Sequence, residues 1–149
     1  MTPSITSVRP LARGDEGDWR RLWADYLAFY ETTRPESVFR ATFARLLSAD
    51  EPMFALAATQ GDRVIGIAHA ILHRHCWSEA DTCYLQDLYV DADARSHGAG
   101  RALIEAVYAQ ADRLGAISVY WLTQEFNYRG RMLYDRVGQR TPFIKYQRP

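Results

Sequence analysis

Two cysteines in 149 residues are too few for a disulfide framework. Cys76 and Cys83 therefore read as free thiols in a reducing compartment, which predicts a cytoplasmic protein. The chain lacks any apolar run of membrane-spanning length, and Met1-Thr2-Pro3-Ser4 leads into mixed sequence without a signal-type apolar core. Neither a membrane span nor a secretory leader is expected. An excess of one charge is missing too: 18 basic and 18 acidic side chains cancel, which removes the broad electrostatic footprint of a nucleic-acid binder. Repeats and low-complexity tracts are absent. What is present is a chain 48% hydrophobic, enough for one good core. The expectation is one domain over residues 1–149.

Apolar spacing predicts an order of elements. Ile5 to Pro10 reads as a first strand, and Asp15 to Tyr30 as a helix carrying Trp19, Leu22, Trp23, Tyr26, Leu27 and Tyr30 at helical intervals. Asp15 is a candidate N-cap. Thr33-Arg34-Pro35 breaks that helix, and Pro35 to Leu47 reads as a second. Met53 to Thr59 and Arg63 to His73 read as strands joined at the hairpin signal Gly61-Asp62, followed by a third strand in the same meander, Asp81 to Val90. Gly98 to Leu114 is a long amphipathic helix closed by Gly115. A strand from Ile117 to Thr123 follows.

The most informative stretch lies between the Tyr84–Val90 strand and that long helix: Arg95-Ser96-His97-Gly98-Ala99-Gly100. A helix start presents unpaired backbone N–H groups and the positive end of the helix dipole, and Gly98 and Gly100 lack the Cβ that would hold an anion away from them. Dipole stabilisation alone amounts to about 0.3–1 kcal/mol, so Arg95 and Arg101 are expected to add charge-assisted contacts. A P-loop needs a lysine and a hydroxyl after its last glycine, and Arg101-Ala102 stand there instead. A dinucleotide fingerprint needs a third glycine where Leu103 stands; Glu125 imitates its ribose-binding acid, but too little chain follows for a second half-sheet.

The pattern Arg/Gln-x-x-Gly-x-Gly/Ala, matched at every fixed position by Arg95 to Gly100, resembles the acetyl-CoA motif of the GNAT superfamily of N-acetyltransferases. Asn127 to Gly138, with Leu133 and Tyr134, is similar to a second segment of that superfamily. Tyr84 to Val90, Val119-Tyr120-Trp121 and Phe143-Ile144-Lys145-Tyr146 look most like its branch of histone and polyamine acetyltransferases described from yeast. The resemblance implies an α+β fold: a mixed, mostly antiparallel sheet of six to seven strands with about four helices. It implies direct transfer of acetyl from acetyl-CoA to a primary amine of a small molecule or a peptide or protein lysine. The other reading open at this point is a non-catalytic acyl-CoA sensor or scaffold, encouraged by Gln86.

By the same resemblance, acetyl-CoA is bound by Leu88, Tyr89 and Val90, by Arg95 through Arg101 (Ser96, His97, Gly98, Ala99 and Gly100 included), and by Asn127, Arg131 and Tyr134. Tyr134 matches the general acid for the departing thiolate, although a helical tyrosine beside Leu133 and Val137 also packs well there. Asn127 matches a pantetheine contact and is also a good N-cap. A backbone N–H beside Leu88 to Val90 would receive the oxyanion. Many polyamine acetyltransferases carry glutamate where this strand has Gln86, and an amide cannot take a proton. Asp87 and Glu125 remain as carboxylate bases, or a water chain serves instead. Acceptor contacts are expected from Tyr26, Tyr30, Glu31, Trp77 and Gln86, aromatic and acidic groups suited to a cationic amine. Trp121 is expected in the core. His69, His73, His75 and Cys76 lack the spacing of a closed zinc site, and no metal is predicted. The aromatic C-terminal strand Phe143 to Tyr146 hints at a homodimer.

Overall fold

The computed structural model describes residues 6–95 and 97–149; Ile5 of the first expected strand and Ser96 of the glycine loop lie outside them. Strand β1 (Thr6–Pro10) leads through a tight 3-10 turn into α1 (Glu16–Phe29) and α2 (Glu36–Leu47). Strands β2 (Met53–Gln60), β3 (Arg63–His73) and β4 (Thr82–Val90) follow, then α3 (Ala99–Arg113), β5 (Val119–Tyr120) and α4 (Tyr128–Val137). The strands lie in chain order in one sheet. Neighbours from β1 to β4 are antiparallel, and β5 joins β4 in parallel. Gly61, at φ 59°, makes the β2–β3 hairpin turn that the sequence signals.

Two apolar layers sandwich the sheet. On one face, Leu103, Ile104 and Val107 of α3 pack fully buried against Leu56, Ile65, Ala68 and Leu85. On the other, Trp19, Leu22, Trp23 and Leu27 of α1 join Phe43 and Leu46 of α2 against Ala55, Ala57, Val64 and Ile67. The spacing 19, 22, 23, 27 is the stripe that predicted α1, and burial of that stripe is what holds the helix to the sheet. Asp15 caps α1 by position only. Its carboxylate turns back, accepting two hydrogen bonds from Arg9 at 2.7 and 2.9 Å and one from the Ala12 N–H at 2.7 Å.

Two irregularities shape the site. The β3–β4 register shifts where His69 faces Asp87 and the next residue, Ala70, faces Leu85, so Gln86 is an extra residue in β4. In a regular strand Leu85 and Asp87 would share a face. The bulge divides them: Leu85 enters the α3 layer, while Asp87 lies against His69 on the α1 side. The second irregularity is the shortness of β5, which pairs only with Cys83 and Tyr84. From Leu85 onward the edge of β4 that faces β5 has no strand partner among the described residues.

The sheet thus has five strands among the described residues, where six to seven were expected. The expected strand 117–123 is reduced to Val119–Tyr120 because β4 and β5 diverge past Tyr84. Phe143 to Tyr146 form no strand, because they pair with none of the other described residues, and Phe143, Ile144 and Tyr146 are 87%, 76% and 89% exposed. Among the described residues no helix is long and apolar enough to cross a membrane.

Candidate active site

The diverging strands open a cleft of about 720 Å³ between the glycine loop, the unpaired edge of β4, and α4. Gly98 holds φ 84°, a conformation that costs most side chains about 1–2 kcal/mol, and among the described residues no atom beyond its chain neighbours lies within 4 Å of where its Cβ would be. That leaves open space over the N-terminus of α3. The Gly98 carbonyl accepts from Ala102 N–H, so the N–H groups of Ala99, Gly100 and Arg101 have no partner within the helix.

Arg95, Arg101, Arg129 and Arg136 line this cleft, and no aspartate or glutamate does. Arg95 is held in place: its Nε donates to the Val90 carbonyl at 3.0 Å and its guanidinium lies 5.2 Å from the centre of the Tyr89 ring. Arg101 is shared with Glu105 at 2.9 Å on the exposed helix face. A protein neutral overall thus gathers a cationic wall on one cleft, the electrostatics a polyphosphate requires.

Where the cleft reaches β4 it adjoins a niche of about 20 Å³, room for one water-sized group, and Tyr26, Tyr30, Leu88 and Tyr134 line both spaces. Leu85, Gln86, Trp121 and Leu122 complete the niche. Burial, with a smaller contribution from Tyr30, raises the pKa of Tyr134, which keeps its phenol protonated. Tyr26 is raised further, first by burial and then by the negative charge of Asp87 beside it. Its hydroxyl donates to the Gln86 carbonyl at 3.4 Å. Trp121 stacks edge-on with Tyr134 at 5.6 Å, so it belongs to the core and the niche at once.

Asn127 caps α4, accepting from Gly130 N–H at 3.2 Å while its amide donates to Thr123 Oγ1 at 2.9 Å, and it also lines the cleft. The cap thus leaves Asn127 at the cleft wall.

Several expected site residues are elsewhere. Glu125 is exposed and borders neither space; its carbonyl is tied up by the Arg131 guanidinium at 2.6 Å, and that bond also turns Arg131 away from the cleft. Trp77 is 91% exposed on the β3–β4 loop against His75, and Glu31, at φ 58° after α1, is exposed as well. His97 is exposed and outside the cleft lining. His73 bonds the Tyr120 hydroxyl at 2.7 Å and the Arg74 carbonyl side, His75 accepts from Trp77 N–H, and His69 is buried against Asp87. Sequence reasoning missed Arg129, Met132 and Arg136, which share one face of α4 with Leu133. Their spacing at 129, 132, 133 and 136 was the available signal.

A glycine-opened, arginine-lined helix start beside a parted sheet edge has the donors and the charge to receive a phosphorylated group. The model of the acetyltransferase (GNAT) family matches residues 19–139. The D-amino-acid N-acetyltransferase HPA3 of Saccharomyces cerevisiae is 38% identical over 143 residues, covering 95% of this chain and 89% of the yeast one. The structure of AAC(6')-Iy in complex with a bisubstrate analogue, CoA-S-monomethyl-acetylneamine, superposes with a TM-score of 0.85 at 19% identity over 98% of this chain and 99% of that one. A ribosomal-protein-alanine N-acetyltransferase from Brucella melitensis superposes at 0.79 with 19% identity, over 97% and 99%. The chain belongs to the acetyltransferase (GNAT) family, and its activity is acetyl-CoA-dependent N-acetylation of an amine.

Proposed function

We propose that this enzyme acetylates the primary amine of a small molecule, with the acetyl group delivered at Leu88 between Tyr134 on one side and Tyr26 on the other. The observation carrying this reading is the junction itself: the cationic cleft ends at an aromatic niche too narrow for a folded partner, and four residues border both. The pyrophosphate of CoA is held by the backbone of Gly98 to Arg101 with Arg95 and Arg101, and Arg129 and Arg136 face the remaining phosphate. Asn127 and Leu133 flank the pantetheine arm. The unpaired edge of β4 near Leu88 supplies a backbone N–H to the oxyanion, a contribution of order 10²–10³ in rate.

The proton balance assigns the rest. An ammonium loses one proton before attack, passed through the Tyr26 hydroxyl to the Asp87 carboxylate. The nitrogen then bonds to the thioester carbonyl carbon, the C–S bond breaks, and Tyr134 protonates the CoA sulfur. The nitrogen's second proton restores Tyr134, and Asp87 releases its own to solvent. A phenol kept protonated by burial suits both tyrosines to these tasks.

The yeast relative's name makes D-amino acids the first acceptors to test. CoA release should be followed with D- and L-amino acids, polyamines and lysine peptides. Turnover of a small amine, abolished in Asp87→Asn with acetyl-CoA binding intact, is the expected result; turnover of peptides alone, or full activity in Asp87→Asn, contradicts it. We also propose one domain, a cytoplasmic location suited to its free thiols, and a homodimer in which Phe143–Tyr146 pairs with a second copy. The open outer edge of β5 and three exposed apolar side chains support the dimer.

A further inference from the structure

Beneath the proposed base lies a hydrogen-bonded chain that the acetyl-transfer chemistry does not use directly. The Trp19 indole N–H donates to His69 Nε2 at 2.9 Å, and His69 Nδ1 lies 2.8 Å from Asp87 Oδ2. Trp19 is completely buried and His69 is 3% exposed, the one buried histidine of the chain. Both ring nitrogens are thus spoken for without water.

An indole nitrogen can only donate, so His69 Nε2 must be a bare acceptor. The ring's proton is then on Nδ1, and the hydrogen between His69 and Asp87 belongs to the imidazole. Oδ2 gives one of its lone pairs to that bond and is the less basic oxygen for it, so uptake is favoured at Oδ1. A carboxylate with two equivalent oxygens is thereby given one preferred site for the proton.

We infer that Trp19 and His69 are positioning residues, which fix the tautomer and orientation that give Asp87 one preferred site for the proton. This deepens the assignment of Asp87 and rests on it. The bulge at Gln86 is what makes the chain possible, because it turns Asp87 onto the face where α1 delivers Trp19. Phe39 and Phe43 of α2 pack on Trp19, and Ala55 of β2 is paired with His69; the Trp23 ring lies 6.2 Å from that of His69, and its indole N–H makes no hydrogen bond among the described residues. The negative charge of Asp87 acts on the Tyr26 hydroxyl, the entry point proposed for the proton.

The tautomer can be read directly on the full-length wild-type protein by 15N NMR of the histidine rings. His69 should show a protonated Nδ1 and a bare Nε2; a protonated Nε2 overturns the inference whatever the enzyme's activity. In kinetics, His69→Asn retains an amide N–H near the place of Nδ1, whereas His69→Leu keeps bulk and removes the donor. His69→Leu should lose about tenfold or more in kcat with the KM for acetyl-CoA unchanged, and His69→Asn should recover most of it. Equal kcat values in the two variants, or a loss confined to KM, would show that His69 only fills space. Full activity of Asp87→Asn would instead remove the base itself, a failure that the ring tautomer does not share.

Discussion

Trp19 and Trp23 stack with ring centres 5.2 Å apart and planes 19° from parallel, yet only one of the two indole N–H groups has a partner. Trp19 donates to His69, while the buried Trp23 Nε1 has none among the described residues. Both substitutions to phenylalanine remove the same atoms. Trp19→Phe also strands His69 Nε2, whereas Trp23→Phe deletes a donor that was already unsatisfied. Trp19→Phe should therefore cost about 1–3 kcal/mol more, read by urea denaturation; equal losses would contradict the hydrogen-bond assignment.

Arg9 holds the Asp15 carboxyl below the usual carboxylate range, chiefly through their hydrogen bonds and against the effect of burial. A lowered folded-state pKa adds stability that is complete above the unfolded value of about 4 and disappears as pH falls through the folded value. Arg9 is 44% exposed, so solvent screening limits the pair to about 1 kcal/mol. Asp15→Asn should be less stable than wild type by about that amount at neutral pH, and the gap should close on acidification below roughly pH 4. A gap constant with pH would mean that charge is not the source.

Tyr134→Phe removes the proposed thiolate acid and keeps the ring packed on Trp121. Turnover should fall about ten- to a hundredfold while acetyl-CoA affinity stays near wild type. Because burial raises the tyrosine's pKa, the acid form persists past the ordinary value of about 10, and wild-type turnover should not decline through its ionisation below that pH. Undiminished turnover in Tyr134→Phe would return the residue to a packing role.

Gly98→Asp introduces bulk and negative charge where no described residue beyond its chain neighbours obstructs it, in a backbone conformation that aspartate tolerates better than most. The fold should survive with a small loss of melting temperature, and CoA affinity should drop by more than about tenfold. Calorimetry on the folded variant distinguishes this from misfolding.

Much of the site was legible because it depends on local rules. Gly98 and Gly100 after a strand announced a helix start able to receive an anion, and apolar spacing located α1, α2 and α3 to within a residue or two. Asp87 was nameable as a carboxylate on the cleft strand, but its orientation was not, since the Gln86 bulge depends on pairing with β3 and a bulge flips every face assignment beyond it. Glu125 failed for a related reason: it is near the cleft in sequence, and the Arg131 bond to its carbonyl sets the loop so that its side chain points outward. Strand 117–123 was read from β-forming residues alone, whereas strand length is set by the neighbour, and β4 offers β5 only two residues. Arg129 and Arg136 escaped because charges on a short helix ordinarily face solvent, and only the arrival of α3 and β4 turns that face into a wall.

The most direct measurement is a crystal structure with CoA bound. The account predicts the pyrophosphate within hydrogen-bonding distance of the Gly98 to Arg101 backbone, the thiol beside Tyr134, and the pantetheine arm along the unpaired edge of β4. A nucleotide bound on another face of the sheet, with the α3 N-terminus untouched, would contradict it.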